Sequence, residues 1–317
     1  MKYRQFGRTG WQVSEIGYGM WGMGGWTESD DAESLTSLQS AVDLGCNFFD
    51  TAYIYGNGHS EGLLGQLIKA NPGKQIYSTT KIPPLNPVTP DSKLEDCFPA
   101  DHIKEFIHKS LSNLGIPVID LIQFHFWQDA WAEDDRWAKT MDDMERQGLV
   151  RTVGISINRG QPWNGIRTVQ TGLLDSVQVV YNIFDQNPED ELFPACREHN
   201  VAVIARVPFD EGSLTGTLTS ESRWPEGDWR NTYFTPEKLK DTLERVERLK
   251  TILSPEMTLS ELALRFILSN PDVSTVIPGM RKPRHVADNL ACSDAGALST
   301  DILSKLKNHR YIRSPKK

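Results

Sequence analysis

Eight times along this chain, a short run that is apolar on both faces gives way to an amphipathic helical stretch. The runs lie at 16–20, 47–50, 76–80, 121–125, 152–156, 176–181, 201–205 and 274–277. Strands apolar on both sides belong to a parallel sheet that is covered on both faces, and parallel neighbours need crossover helices. Between two of the runs, Ile103, Phe106, Ile107, Leu111 and Leu114 recur at helical spacing, with Asp101 read as N-cap and Gly115 and Pro117 as the stop. Leu259, Leu262, Ala263, Phe266 and Ile267 form a second such face before Pro271. The stretch 236–253, with Leu239, Leu243, Val246, Leu249 and Leu253, reads as an additional helix after strand seven. Eight strand–helix units with no linker predict an α/β fold, a closed (β/α)8 TIM barrel forming one domain over 1–317. A doubly wound sheet is the structural alternative. The residues flanking Arg8-Thr9-Gly10 read as a small β-hairpin covering one barrel end.

Charge narrows the function classes. The 317 residues carry 34 Lys and Arg against 42 Asp and Glu, a net charge of −8, which argues against a nucleic-acid partner but leaves room for a local basic pocket. Cys46, Cys97, Cys196 and Cys292 are far apart, with no Cys-x-x-Cys pair and no metal-ligand spacing, so free thiols in a reducing cytoplasm are expected and no metal. The start, Met1-Lys2-Tyr3-Arg4, lacks the apolar stretch of a signal peptide, and no run of about 18 apolar residues predicts a membrane span.

Gly17-Tyr18-Gly19-Met20-Trp21-Gly22 fits the G-x-G-x-x-G dinucleotide fingerprint. Its context does not fit, because Met23-Gly24-Gly25-Trp26 follows and the next helix is expected only near Asp30. A glycine-rich loop after the first strand remains, and such a loop can lie under a cofactor through Met20 and Trp21, since glycine permits close backbone approach.

Asp50, Lys81 and His125 stand at or just beyond the ends of strands two, three and four, and Tyr55 follows Asp50 by five residues. In a (β/α)8 barrel the C-terminal strand ends share one mouth, so these residues converge. Singly, each has an ordinary structural reading: an ion pair, one tyrosine of eight, a satisfied histidine. Together, Asn47-Phe48-Phe49-Asp50-Thr51-Ala52-Tyr53-Ile54-Tyr55-Gly56, Thr80-Lys81, Gln123-Phe124-His125, Val153-Gly154-Ile155-Ser156, Gln178-Val179-Val180-Tyr181-Asn182, Gly212-Ser213-Leu214-Thr215-Gly216 and Val276-Ile277-Pro278-Gly279 follow one another in an order and spacing that resemble the aldo-keto reductase family.

The resemblance implies NADPH-dependent reduction of a small-molecule carbonyl, with Tyr55 as general acid. A carbonyl that accepts hydride becomes an alkoxide and needs a proton, and a phenol of ordinary pKa near 10 holds one at neutral pH. Lys81 stabilises the tyrosinate; an ammonium about 4 Å away at an effective dielectric of about 20 contributes roughly 4 kcal/mol. Asp50 keeps Lys81 charged, and His125 donates to the substrate oxygen. The resemblance also places Ser156 and Gln178 at the nicotinamide carboxamide, Pro208, Gly212, Ser213 and Thr215 along the pyrophosphate, and Gly279, Arg281, Lys282, His285, Asp288 and Asn289 at the adenosine end. Three cations, Arg281, Lys282 and Arg284, fall within four residues at a helix start, the footprint of a 2′-phosphate, although the family usually has Arg or Gln where His285 stands.

Two departures from the family pattern stand out. Ile157 displaces Asn158 from its usual place beside Ser156, and Arg206 replaces the tyrosine that stacks on the nicotinamide. A planar guanidinium can also stack; the alternative for Arg206 is a salt bridge to Asp210 or Glu211. Trp21, Trp127 and Trp229 are the candidate substrate walls, although with nine tryptophans most must pack structurally. Two other functions compete: a non-catalytic nucleotide-binding regulatory or redox-sensing subunit, and an aldolase or isomerase using Lys81 as a Schiff base, against which Asp50 argues. Nothing in the sequence decides the oligomeric state, and the resemblance is compatible with a monomer.

Overall fold

The computed structural model describes residues 1–25 and 30–311. Tyr3–Gln5 (β1) and Gln12–Ser14 (β2) form an antiparallel hairpin. Eight parallel strands follow: Tyr18–Gly19 (β3), Phe48–Asp50 (β4), Tyr77–Ile82 (β5), Ile119–His125 (β6), Val150–Ser156 (β7), Ser176–Val180 (β8), Ala202–Arg206 (β9) and Thr275–Val276 (β10). Each pairs with its sequence neighbour. The two ends of the sheet meet through bridges Ile16↔Val276 and Gly19↔Gly279, with Gly17 N–H donating to Val276 O at 2.8 Å and Gly19 N–H to Pro278 O at 2.9 Å. The sheet therefore closes into a (β/α)8 barrel, and the doubly wound alternative is excluded. All eight predicted runs are strands or extend one.

The chain's helices are Asp31–Asp43 (α1), His59–Ala70 (α2), Leu94–Cys97 (α3), Ala100–Leu114 (α4), Arg136–Arg146 (α5), Ile166–Gln170 (α6), Leu192–Glu198 (α7), Arg230–Tyr233 (α8), Pro236–Lys250 (α9), Leu259–Leu268 (α10), Pro283–Ala295 (α11) and Thr300–Lys307 (α12). α9 is the predicted addition after strand seven. Thr235 caps it through Lys238 N–H and Pro236 occupies its first turn, both ordinary helix-start devices. The N-cap assigned to Asp101 is a correction: Pro99 occupies that position, and Asp101 lies in the first turn, where its charge favours the helix dipole. The stop at Gly115 holds, in a left-handed conformation at φ 63°. Among the described residues no helix is long and apolar enough to cross a membrane.

The hairpin plugs the N-terminal end of the barrel. Phe6 packs on Phe48 with ring centroids 5.3 Å apart, and Trp11 stacks on Tyr77 at 4.8 Å. Leu121, Ala202, Ile204 and Ile277 complete this small core. Arg4 latches the hairpin by donating to the carbonyls of Leu268, at the end of α10, and of Asn270 and Val273 after it. The polar strand termini lie at the opposite end.

Two glycines of the discounted fingerprint permit close packing, Gly19 at the closing seam and Gly17 against β4. A Cβ at Gly19 would lie 2.7 Å from Ile277 O, and one at Gly17 would lie 2.9 Å from Phe48 O. Backbone contacts of that kind cannot yield without moving a strand. Gly19→Ala is expected to lower stability by about 1–3 kcal/mol. Gly62→Ala, where an added Cβ meets nothing within 4 Å, should be neutral or stabilising by about 0.5–1 kcal/mol. Urea unfolding midpoints of the two variants check this, and equal midpoints would remove the closure role.

Candidate active site

Register brings the polar residues together before any side chain is considered. Asp50 pairs with Thr79, Lys81 with Gln123, His125 with Ser156, and Ser156 with Gln178. The site is thus assembled from adjacent strands of one closed sheet. At its centre Lys81 is fully buried and donates to Asp50 Oδ2 and to Thr51 O, both at 2.7 Å. The other carboxylate oxygen of Asp50 accepts from Gln178 Nε2 at 2.8 Å and from Gln123 Nε2 at 3.2 Å, and Gln123 also donates to Thr79 Oγ1 at 2.9 Å. Asp50 therefore gathers β5, β6 and β8 onto β4. A lysine that donates to a carboxylate and a carbonyl is placed as a hydrogen-bond donor, which argues against the Schiff-base reading.

Tyr55 lies above this pair, with Lys81 Nζ 5.2 Å from its ring centroid. His125 meets it edge-on, centroids 6.1 Å apart at 86°. Burial pushes the Tyr55 hydroxyl above its usual pKa; Lys81 and Arg206 pull it down and Asp50 pushes it up, and burial wins. In this barrel Tyr55 therefore holds its proton more firmly than a free phenol. Burial, with Lys81 and Arg206 beside it, brings His125 well below its ordinary 6.5, so its imidazole is neutral at pH 7. His125 Nδ1 is enclosed without a partner.

The other sequence candidates separate into those at the rim and those in the core. Trp21 is exposed and meets Trp229 edge-to-face at 6.5 Å. Trp127 is a correction: it is 0 % exposed. It packs against Trp131 and Trp137, and its indole donates to Thr168 Oγ1 at 2.8 Å. A substrate cannot reach it. Asn158 and Asn164 hold the Trp127 backbone, which explains what the displaced asparagine does instead. Met20 is a second correction, a core side chain with no exposed surface. Ser213 is a third: it is buried and its hydroxyl donates to Asp210 at 2.6 Å. Thr215 is half-buried and donates to Gly212 O. Pro208 is buried and Gly212 half-buried in the same loop, which turns through positive φ at Val207, Asp210, Glu211 and Gly212. Ser156 and Gln178 are buried at the strand ends, with the Gln178 amide nitrogen engaged by Asp50.

Arg206 makes no ion pair with Asp210 or Glu211. Its Nη2 donates to Ile157 O at 3.0 Å, while Glu211 pairs with Arg159. At the adenosine end, Gly279 is exposed and Lys282 is the N-cap of α11, with no side-chain cap. Arg281 lies within reach of Gly22, so the first loop and the basic segment face each other. His285 stays below its usual pKa through burial and the charges of Arg284 and Lys282, and it adds no cation there. Asp288 is exposed and Asn289 buried on α11.

Three residues in and around this site escaped the sequence. Gln123 carried a signal, since it is two positions before His125 on a buried strand and so shares its face. Phe126 is exposed, holds φ 84° and stacks on His125 with centroids 4.9 Å apart. Arg159 lies over the Trp229 and Tyr233 rings at 5.9 and 5.2 Å. Neither of these last two has a sequence pattern that announces it.

The site can hold a nicotinamide dinucleotide. An uncapped helix N-terminus beside three cations offers donors to phosphate, and His125 Nδ1 and Arg206 Nε are buried polar atoms without a partner. Comparison with known proteins agrees. The model of the Aldo/keto reductase family matches residues 15–310, and the chain belongs to that family. It is 29% identical over 314 residues to the uncharacterized oxidoreductase YqkF of Bacillus subtilis, covering 98% of this chain and 96% of that protein. It is 29% identical over 318 residues to an NADH-specific methylglyoxal reductase of Escherichia coli, covering 95% and 96%. A probable voltage-gated potassium channel subunit beta of Oryza sativa is 28% identical over 322 residues, covering 97% and 96%. The structure of the glycerol dehydrogenase AKR11B4 from Gluconobacter oxydans superposes with a TM-score of 0.81 at 23% identity, over 100% of this chain and 98% of that one, and shares the barrel. Family membership makes this an oxidoreductase that uses a nicotinamide cofactor on small carbonyl compounds.

The buried pair gives a stability test. Lys81→Met leaves Asp50 as an unpaired buried carboxylate and is expected to cost about 3–5 kcal/mol. Adding Asp50→Asn should recover part of that loss. Urea unfolding of the single and double variants measures it, and strictly additive losses would show that the two charges do not depend on each other.

Proposed function

We propose that this aldo/keto reductase reduces an aldehyde or ketone to the alcohol with NADPH, and that Tyr55 donates the proton. The observation that carries the reading is the Tyr55 ring set against both the Asp50–Lys81 pair and the His125 imidazole at the C-terminal barrel end. The bound dinucleotide supplies hydride to the carbonyl carbon. Tyr55 Oη gives its proton to the carbonyl oxygen as negative charge develops there. Lys81 stabilises the tyrosinate left behind, and Asp50 holds Lys81 charged and aimed, itself fixed by Gln123 and Gln178. His125, neutral at pH 7, orients the substrate oxygen by a hydrogen bond from its ring.

Arg281, Lys282 and Arg284 support NADPH over NADH, because only NADPH carries the 2′-phosphate they fit. The Escherichia coli relative is named NADH-specific, so this choice rests on the chain's own cations. Ser156 and Gln178 would hold the carboxamide, the 207–216 loop the pyrophosphate, Arg206 the face of the nicotinamide, and Asp288 and Asn289 the adenine. Trp21 and Trp229 wall the substrate, joined by Phe126. The whole chain 1–317 acts as one barrel unit, and four buried free cysteines suit a reducing cytoplasm.

The test is NADPH oxidation with a panel of aldehydes and ketones. Tyr55→Phe should lower kcat by about 10²- to 10⁴-fold while NADPH still binds. Binding without carbonyl-dependent oxidation in the wild type would instead favour a regulatory subunit, as the relative from Oryza sativa is named. Arg281→Ala with Arg284→Ala should reduce the NADPH-to-NADH preference by roughly tenfold or more.

The pH profile follows from the two shifted groups. Reduction needs protonated Tyr55, whose pKa lies above the ordinary 10. The rate should therefore hold through neutral pH and fall only above pH 10. Alcohol oxidation needs tyrosinate and should rise with pH over the same range. His125 protonates only well below 6.5, so kcat/KM for reduction should show no step near that pH. A step at pH 6.5 in the wild type that is lost in His125→Gln would overturn the neutral-imidazole assignment.

A further inference from the structure

Phe126 is a large apolar side chain that fills no core. It follows β6 directly, is 41% exposed, and holds a left-handed backbone at φ 84°. That conformation is natural for glycine and strained for a phenylalanine. The next residue sets the turn. Trp127 points into the core, its backbone N–H donating to Asn158 Oδ1 at 3.2 Å and its indole to Thr168 Oγ1 at 2.8 Å. A glycine would make this turn without strain, so the turn alone does not account for the ring. What the ring touches is His125: it lies parallel to the imidazole, with centroids 4.9 Å apart and planes 10° apart.

His125 lacks the usual means of fixing an imidazole. A functional histidine is ordinarily oriented by a hydrogen bond from its second ring nitrogen. Here Nδ1 is enclosed, and no donor or acceptor among the described residues reaches it. Aromatic contacts hold the ring instead. Tyr55, after β4, meets it edge-on with centroids 6.1 Å apart at 86°, and Phe126 lies along its face. The charged groups that act on it are Lys81 of β5 and Arg206 of β9, both cations. Burial first, then these cations, keep the imidazole neutral, and the stacked Phe126 ring covers one of its faces.

From this we infer that Phe126 is a positioning residue for the reduction: stacked on His125, it fixes the plane of the imidazole and shields that face from water. The inference rests on the carbonyl-reductase reading above, in which His125 orients the substrate oxygen. It also separates two effects of one ring. The exposed part walls the substrate and acts on KM, whereas the stacked face acts through His125 and therefore on kcat.

Phe126→Gly tests it, because glycine accepts the positive φ and removes the ring while keeping the turn. Phe126→Tyr is the conservative variant that should behave as the wild type. NMR of isotope-labelled histidine side chains, with the His125 signal identified through His125→Gln, follows its protonation without any substrate, and the other histidine signals report that the fold is intact. In the wild type and Phe126→Tyr, His125 should stay neutral as the pH passes through the ordinary 6.5. In Phe126→Gly its pKa should rise towards that value, since water reaches the uncovered face. Phe126→Gly should also lower kcat by roughly 10- to 100-fold. The same substitution made in His125→Gln should lower kcat by no more than about twofold further, since the two residues act as one unit. A His125 titration unmoved by Phe126→Gly overturns the inference, as does an equal kcat loss in both backgrounds. A change confined to KM overturns it too and leaves Phe126 a substrate wall only. If no carbonyl is turned over, the reductase reading falls and the titration alone decides: a raised His125 pKa in Phe126→Gly supports the contact, and an unmoved one overturns it.

Discussion

The ion pair between Lys81 and Asp50 is the interaction on which the rest of this molecule depends. Both groups are withdrawn from water, and neither is tolerable there alone. Their attraction is strong because the surroundings are poorly polarisable, and the remaining acceptor capacity of Asp50 is filled by two glutamine amides. Those amides come from β6 and β8, so one carboxylate ties together strands that are not neighbours. Catalytic geometry and barrel geometry are therefore held by the same contacts. A barrel with a shifted register would separate Lys81 from Asp50 and leave two buried charges unpaired, a penalty that selects the observed register.

The two barrel ends divide the remaining work. Aromatic contacts from the hairpin seal the N-terminal end, and every strand delivers its last residue to the other. The molecule carries a net charge of −8, yet Lys81, Arg206 and Arg159 stand at this mouth and Arg281, Lys282 and Arg284 line the approach along α11. A basic groove in an acidic surface draws anions selectively to one place. On the proposed function, the phosphates of a dinucleotide would be drawn to the outer part of that groove. The inner part ends at Arg206, whose donors are incompletely matched by protein.

The barrel was legible because its signal is periodic and repeated. Strands apolar on both faces, alternating with one-sided helices, admit few architectures, and the helix expected near Asp30 begins there, at Asp31 with Asp30 as its cap. The fingerprint glycines were separable from a Rossmann motif by the same positional reasoning, although their role in close packing needed Ile277 O and Phe48 O in place. Asp50, Lys81 and His125 could be read because a strand end is a position in space as well as in sequence. Trp127 could not, because its neighbour Phe126 takes positive φ and the chain there turns the indole inward onto Trp131 and Trp137. Met20 and Ser213 failed for a related reason. Each lies in a loop at the mouth, and loop residues alternate between facing the groove and anchoring the loop without any fixed period. The pairing of Glu211 with Arg159, which leaves Arg206 unmatched, joins segments about fifty residues apart through loop geometry alone.

The protonation state of Tyr55 shows how two opposed influences on one group decide the direction of chemistry. A cation beside a phenol favours the phenolate, and Lys81 and Arg206 both act that way. Removal from water disfavours the phenolate, and the carboxylate of Asp50 adds to that. Because Lys81 is already neutralised by Asp50, its field at Tyr55 is that of a dipole and falls off faster than that of a free charge. Arg206 makes no ion pair, although the charges of Asp50 and Asp185 act on it too. Burial then dominates and keeps the proton on Tyr55, as its proposed role of general acid requires.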